Sequence, residues 1–121
     1  MELIRACIAE DLNQVKQLLT DGINVEEKNS RGMTSLHVLA TIKNKVLAKL
    51  LVDNGADIES KDDQGNTPLW TAVMSSKGNE EMIFFFLNNG ADPNEKNVHG
   101  ISPLDLSKSI SNYQITAFEN H

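Results

Sequence analysis

Asp62-Asp63-Gln64-Gly65-Asn66-Thr67-Pro68-Leu69-Trp70 decides the fold, because its pieces recur on both sides of it. Upstream the chain reads Asn29-Ser30-Arg31-Gly32-Met33-Thr34-Ser35-Leu36-His37, and downstream Asn97-Val98-His99-Gly100-Ile101-Ser102-Pro103-Leu104-Asp105. Gly32, Gly65 and Gly100 are 33 and 35 residues apart. A second series, Gly22, Gly55 and Gly90, has the same gaps. Two independent rulers of one length define a repeat, and a period of roughly 20–50 residues marks stacked units.

The spacing has a mechanical meaning. Asp or Asn three residues before a glycine suits a tight turn, since the short polar side chain bonds its own backbone and glycine accepts positive φ. Thr34, Thr67 and Ser102 then stand where a hydroxyl caps a helix, and Pro68 and Pro103 fit the first helical position, which needs no N–H. Ser35 takes the proline's place in the upstream block and weakens that start. Gly22, Gly55 and Gly90 follow apolar runs ending in Leu19, Val52 and Leu87, where a left-handed residue closes a helix. Each unit is therefore a turn followed by two short antiparallel helices.

This pattern resembles the ankyrin repeat over almost the whole chain. The resemblance implies an all-α ankyrin-repeat solenoid with short β-hairpin-like turns, a single domain over residues 1–121. Four units can be drawn, at 1–28, 29–61, 62–96 and 97–121. The first lacks a leading turn and carries helices near 2–9 and 12–20. The third is longer by two residues, which fall in Ser75–Asn79 between its helices. The last keeps its turn and first helix, then ends in a short helix predicted over 111–118, with the final residues frayed. End units face water on one side, which explains their departure from the pattern.

Composition excludes several classes. With 40% apolar residues in 121, the chain can supply the thin core that a solenoid shares between neighbours. No apolar run approaches the ~20 residues that cross a bilayer. The start, Met1 to Leu12, lacks the basic opening of a signal peptide. A single cysteine, Cys7, cannot form an internal disulfide, so a reducing cytoplasmic setting is the simplest reading.

Chemistry-bearing motifs are missing from the sequence: it has no phosphate loop, no Gly-x-Ser-x-Gly elbow and no His-Glu-x-x-His pair. The expectation is a non-enzyme that holds no cofactor and no metal. Leu36, Leu39, Ala40, Leu47, Leu50, Leu51, Leu69, Ala72, Val73, Ile83 and Leu87 recur with helical spacing and read as core. Cys7, among Ile4, Ala6 and Ile8, reads as a small buried side chain. His37 stands where the ankyrin family usually has a histidine, whose ring there bonds the backbone of neighbouring turns. Trp70 occupies the same place one unit on. Asp62-Asp63 and Glu80-Glu81 fall at a turn and a helix start and read as solvated structure.

Binding is what remains. With the repeated core positions set aside, the freely varying side chains lie at the hairpin tips and on the outward side of each first helix, lining one concave face. The resemblance implies that this face binds protein. It comprises Ser30, Arg31, Met33, Thr41 and Ile42; then Asp63, Gln64, Asn66, Trp70, Met74 and Ser75; then Val98, His99, Ile101 and Ser109. Met33, Ile42, Met74 and Ile101 are apolar where solvent alone favours polar residues. Phe84-Phe85-Phe86 is a second anomaly, since one helix cannot turn three successive residues to one core. By register with Lys49, Phe84 falls on the outer side, over the Ser76–Lys77 insertion or in a convex contact.

Eleven basic against seventeen acidic residues give a net charge of −6, which disfavours nucleic acid and anionic membrane and favours a basic protein partner. Lys28, Lys61 and Lys96, flanked by Glu26, Glu27, Glu59 and Glu95, suggest a mixed-charge ladder along the hairpins. The functional expectation is a protein-binding module, monomeric when free, such as a small acidic inhibitor or immunity protein that blocks a basic partner like a nuclease toxin. The alternative is a scaffold or effector fragment that captures a cellular protein, with the activity in the partner or in a longer chain.

Overall fold

The computed structural model describes residues 1–110 and 115–119. Its helices are α1 (Glu2–Ile8), α2 (Leu12–Thr20), α3 (Ser35–Ile42), α4 (Lys45–Asp53), α5 (Pro68–Met74), α6 (Glu81–Asn88) and α7 (Pro103–Ser109), with no strand among the described residues. They form two layers. The first helices α1, α3, α5 and α7 pack in a row, and the second helices α2, α4 and α6 back them, with α4 against α6.

Local chemistry sets these boundaries. The Thr67 hydroxyl accepts from Trp70 N at 3.3 Å, and Ser102 accepts from Asp105 N at 3.0 Å while the Asp105 carboxylate answers Ser102 N. Second helices start on short polar caps: Asp11 accepts from Gln14 N and Asn44 from Leu47 N. The turns close as the sequence implies. Asn29, Asp62 and Asn97 each turn a side-chain oxygen onto the backbone N–H groups two and four residues on. Successive hairpin tips are tied by Asp63 N donating to Arg31 O and Val98 N to Gln64 O, both 3.0 Å. Gly65 serves two demands at once, a φ of +75° and an approach so close that a Cβ would lie 3.0 Å from Val98 N.

The shared seam is buried through Leu3, Cys7, Leu36, Leu39, Leu47, Leu51, Leu69, Val73, Ile83 and Phe86. Leu50, expected in the core, is only partly buried and sits at the edge between α2 and α4. Phe85 and Phe86 meet edge-to-face with centroids 5.2 Å apart, and Phe84 is left exposed.

The C-terminal segment differs from expectation. Ser111 to Gln114 of the predicted final helix lie outside the described residues, and 117–119 form a turn. Residues 120–121, expected to fray, also lie outside them. The end is nevertheless anchored: Ala117 and Phe118 are buried, and the Glu80 carboxylate accepts from Thr116 N (2.7 Å), Thr116 Oγ1 (2.9 Å) and Ala117 N (2.7 Å). Glu80 stands at the N-cap of α6 but spends its oxygens on this clasp, and Asn79 Oδ1 accepts from the first helical N–H, Glu81 N, at 3.0 Å.

Candidate functional site

The hairpin tips and the first helices expose most of the predicted binding residues, with one correction and two refinements. Arg31, Ile42, Asp63, Gln64, Met74, Val98, His99 and Ile101 are exposed. Met33 and Trp70 are half-buried. Asn66 does not belong to the face. It is buried, its amide oxygen accepts from Asn97 Nδ2 at 2.9 Å, and its backbone carbonyl serves the preceding unit. Its polar atoms instead join the units on either side, the carbonyl to His37 and the amide to Asn97.

That carbonyl fixes the state of His37. Nε2 of His37 lies 2.8 Å from Asn66 O and must donate to it, which leaves Nδ1 to accept from Thr34 N and Thr34 Oγ1 at 3.1 and 3.0 Å. Burial holds the His37 pKa below its usual value, with the charge of Lys28 adding and the Asn66 bond and Asp62 opposing. A ring so committed has no free lone pair for a metal. Among the described residues, no group of three or more His, Cys, Asp or Glu side chains is placed to hold one. Trp70, one unit on, does not reproduce the histidine's bond: its Nε1 is enclosed without a hydrogen-bond partner among the described residues. Cys7 is fully buried, and desolvation pushes its thiol up to about 11, with Glu27 adding and Ser35 opposing.

The structure brings the second and third hairpins together around a cleft of about 420 Å³ lined by Ser30, Arg31, Met33, Asp62, Asp63 and Gln64. One oxygen of Asp62 is spent on the turn, and Asp63 forms no ion pair among the described residues. Gln64 Oε1 lies 3.1 Å from His99 Nε2, which carries the same surface on to the fourth-unit hairpin. Val98, 66% exposed, adjoins Gln64 through its backbone N–H, and Met74, at the far end of α5, is 55% exposed. Sequence reasoning set Asp62 aside as turn structure and missed that it also lines the cleft.

The expected charge ladder is partly replaced by a different device. Lys61 pairs with Glu95, whereas Lys28 donates to the Lys61 carbonyl. Glu26 accepts from Asp57 N and Ser60 Oγ, and Glu59 from Asp92 N, so each hairpin acid holds backbone of the next unit. Partial burial raises the Glu59 pKa, as do the charges of Asp92, Glu95 and Asp57.

Residues 3–97 match the family model for ankyrin repeats in three copies, and the chain belongs to the ankyrin repeat family. That membership makes it a protein–protein interaction module of a generally non-catalytic kind. The ankyrin repeat, SAM and basic leucine zipper domain-containing protein 1 of Mustela putorius furo is 37% identical over 117 residues, covering 93% of this chain and 24% of that protein. The Mus musculus protein of the same name is 28% identical over the same span. An intracellular phospholipase A2 of Caenorhabditis elegans is 32% identical over 102 residues, 79% of this chain and 10% of that protein. The chain thus spans a quarter or less of these relatives. No helix among the described residues is long and apolar enough to cross a membrane.

Proposed function

We propose that the hairpin face binds a basic region of another protein and acts by covering it. The observation that carries this reading is the cleft between the second and third hairpins, where Asp62 and Asp63 outnumber Arg31, together with the exposure of Met74, Val98 and Ile101. Apolar anchors surrounded by polar groups are how interfaces concentrate affinity, and complementary charge speeds encounter. The net charge of −6 favours a basic partner, and an inhibitor that occludes a cationic active site, such as that of a nuclease toxin, is the most concrete form of the proposal. The free chain acts as a monomer, and its buried free cysteine suits the cytoplasm.

A second reading is favoured by the relatives, which are at least about four times longer than the matched span: these repeats serve as the recognition arm of a larger assembly. One experiment addresses both. Affinity capture from the source organism identifies the partner, whose binding is then measured against Met74→Glu with Ile101→Glu. A loss of about a hundredfold or more is expected, with association slowing as salt rises from ~0.05 to ~0.5 M. Unchanged binding by the double variant removes the hairpin face as the site. Saturating inhibition of the partner's own activity supports the inhibitor form, and binding without inhibition supports the recognition arm.

A further inference from the structure

The opposite side of the stack carries a surface of contrary character. Lys16 of α2 and Lys49 of α4 occupy equivalent places in their units, and Phe84 holds the same place on α6. Two clefts lie side by side here. One, about 300 Å³, runs between α2 and α4 beside Lys16, Leu19 and Leu50; the other, about 380 Å³, runs between α4 and α6 beside Lys45, Lys49 and Phe84. Phe84 is 44% exposed although its neighbours Phe85 and Phe86 fill the core.

We propose that these paired clefts dock an acidic peptide segment bearing a large apolar anchor. Charge complementarity selects this occupant. Three lysines line the clefts against one carboxylate, Glu81, on a chain that is otherwise strongly acidic. Lys16 and Lys45 form no salt bridge among the described residues. Lys49 meets Asp53 at 3.1 Å, but both side chains are mostly exposed, so a partner carboxylate can recruit the ammonium at little cost. The anchor has a place ready in the partly exposed apolar faces of Phe84, Leu50 and Leu19, where lysine stems add further apolar surface. The two sides of the stack then select oppositely charged partners and leave each other free.

The test is a random-peptide display selection on the intact chain, counter-selected on Lys45→Glu with Lys49→Glu. Enriched peptides are expected to carry Asp or Glu around one aromatic or leucine. A synthetic copy of the leading peptide, followed by fluorescence anisotropy, should lose affinity about tenfold or more in that charge variant and in Phe84→Ser, while Met74→Glu with Ile101→Glu leaves it unchanged. Lys45 and Lys49 are exposed, so the charge variant decides the matter if Phe84→Ser fails to fold. Enrichment of basic or uncharged peptides, or binding indifferent to the charge variant, overturns the proposal. Self-association in sedimentation that vanishes in Phe84→Ser also overturns it, by assigning the clefts to a second copy of the chain.

Discussion

Replacing Glu80 by alanine should release the C-terminal segment without unfolding the stack. The carboxylate accepts three hydrogen bonds of 2.7–2.9 Å from Thr116 and Ala117, 36 and 37 residues away. A bond to a charged acceptor can carry ~1.5–3 kcal/mol, but Thr116 is exposed and its freed N–H and hydroxyl regain water, so ~0.5–1 kcal/mol per bond is the better figure. Three bonds give about 2 kcal/mol. Part of the apolar surface of Phe118 follows into water, which raises the loss toward ~3 kcal/mol. Glu80→Gln keeps a single acceptor oxygen and should cost about half as much. Urea unfolding ranks the three proteins, and hydrogen exchange at Thr116 and Ala117 localises the change. The reasoning is refuted if Glu80→Ala matches the parent in stability while both amides stay protected.

Leu69→Ala, at a fully buried contact between packed helices, should cost ~2–5 kcal/mol in the same urea assay and exceed Glu80→Ala. His37 is favoured neutral by the fold, so its contribution is complete above the unfolded pKa of ~6.5 and lost as pH falls further; unfolding midpoints should therefore drop from pH 7 to pH 5, and His37→Gln should flatten that slope. Cys7 has the opposite sign, because a thiol raised to about 11 stabilises fully below its unfolded value and progressively less as pH climbs past it. A thiol reagent should accordingly label Cys7 at the rate of global opening, and labelling as fast as a free thiol would disprove its burial.

The fold was legible because turn chemistry is local. A glycine with positive φ and an Asx side chain three residues earlier are needed wherever the chain reverses, so Gly32, Gly65 and Gly100 give the period directly. The exposure of Ile42, Met74 and Ile101 follows from removing core positions, which needs only periodicity. Asn66 was misplaced for a reason the period cannot express: whether a hairpin residue faces solvent or the next hairpin depends on how closely the units stack. Glu80 was hidden likewise. An acid at a helix start looks like a partner for the dipole, and nothing local announces a clasp to residues 116–117. Register with Lys49 put Phe84 on the outer side, but that a cleft there also takes in Lys45 depends on how α4 and α6 pack.

The exchange of histidine for tryptophan between His37 and Trp70 gives the stack a line along which it tears. His37 stitches its unit to the Asn66 carbonyl, whereas the indole N–H at the equivalent place finds no partner among the described residues. In a linear array whose cohesion is a sum over neighbouring seams, this seam is left to the Asn97–Asn66 bond, the hairpin backbone tie and the Glu80 clasp, and separation is expected to begin there once these yield. The last unit then parts first, and the earlier helices remain closed around His37 after it has gone. Trp70 is also the only tryptophan in the chain, so its emission reports from the tear itself and its colour shift times the first parting rather than the final collapse.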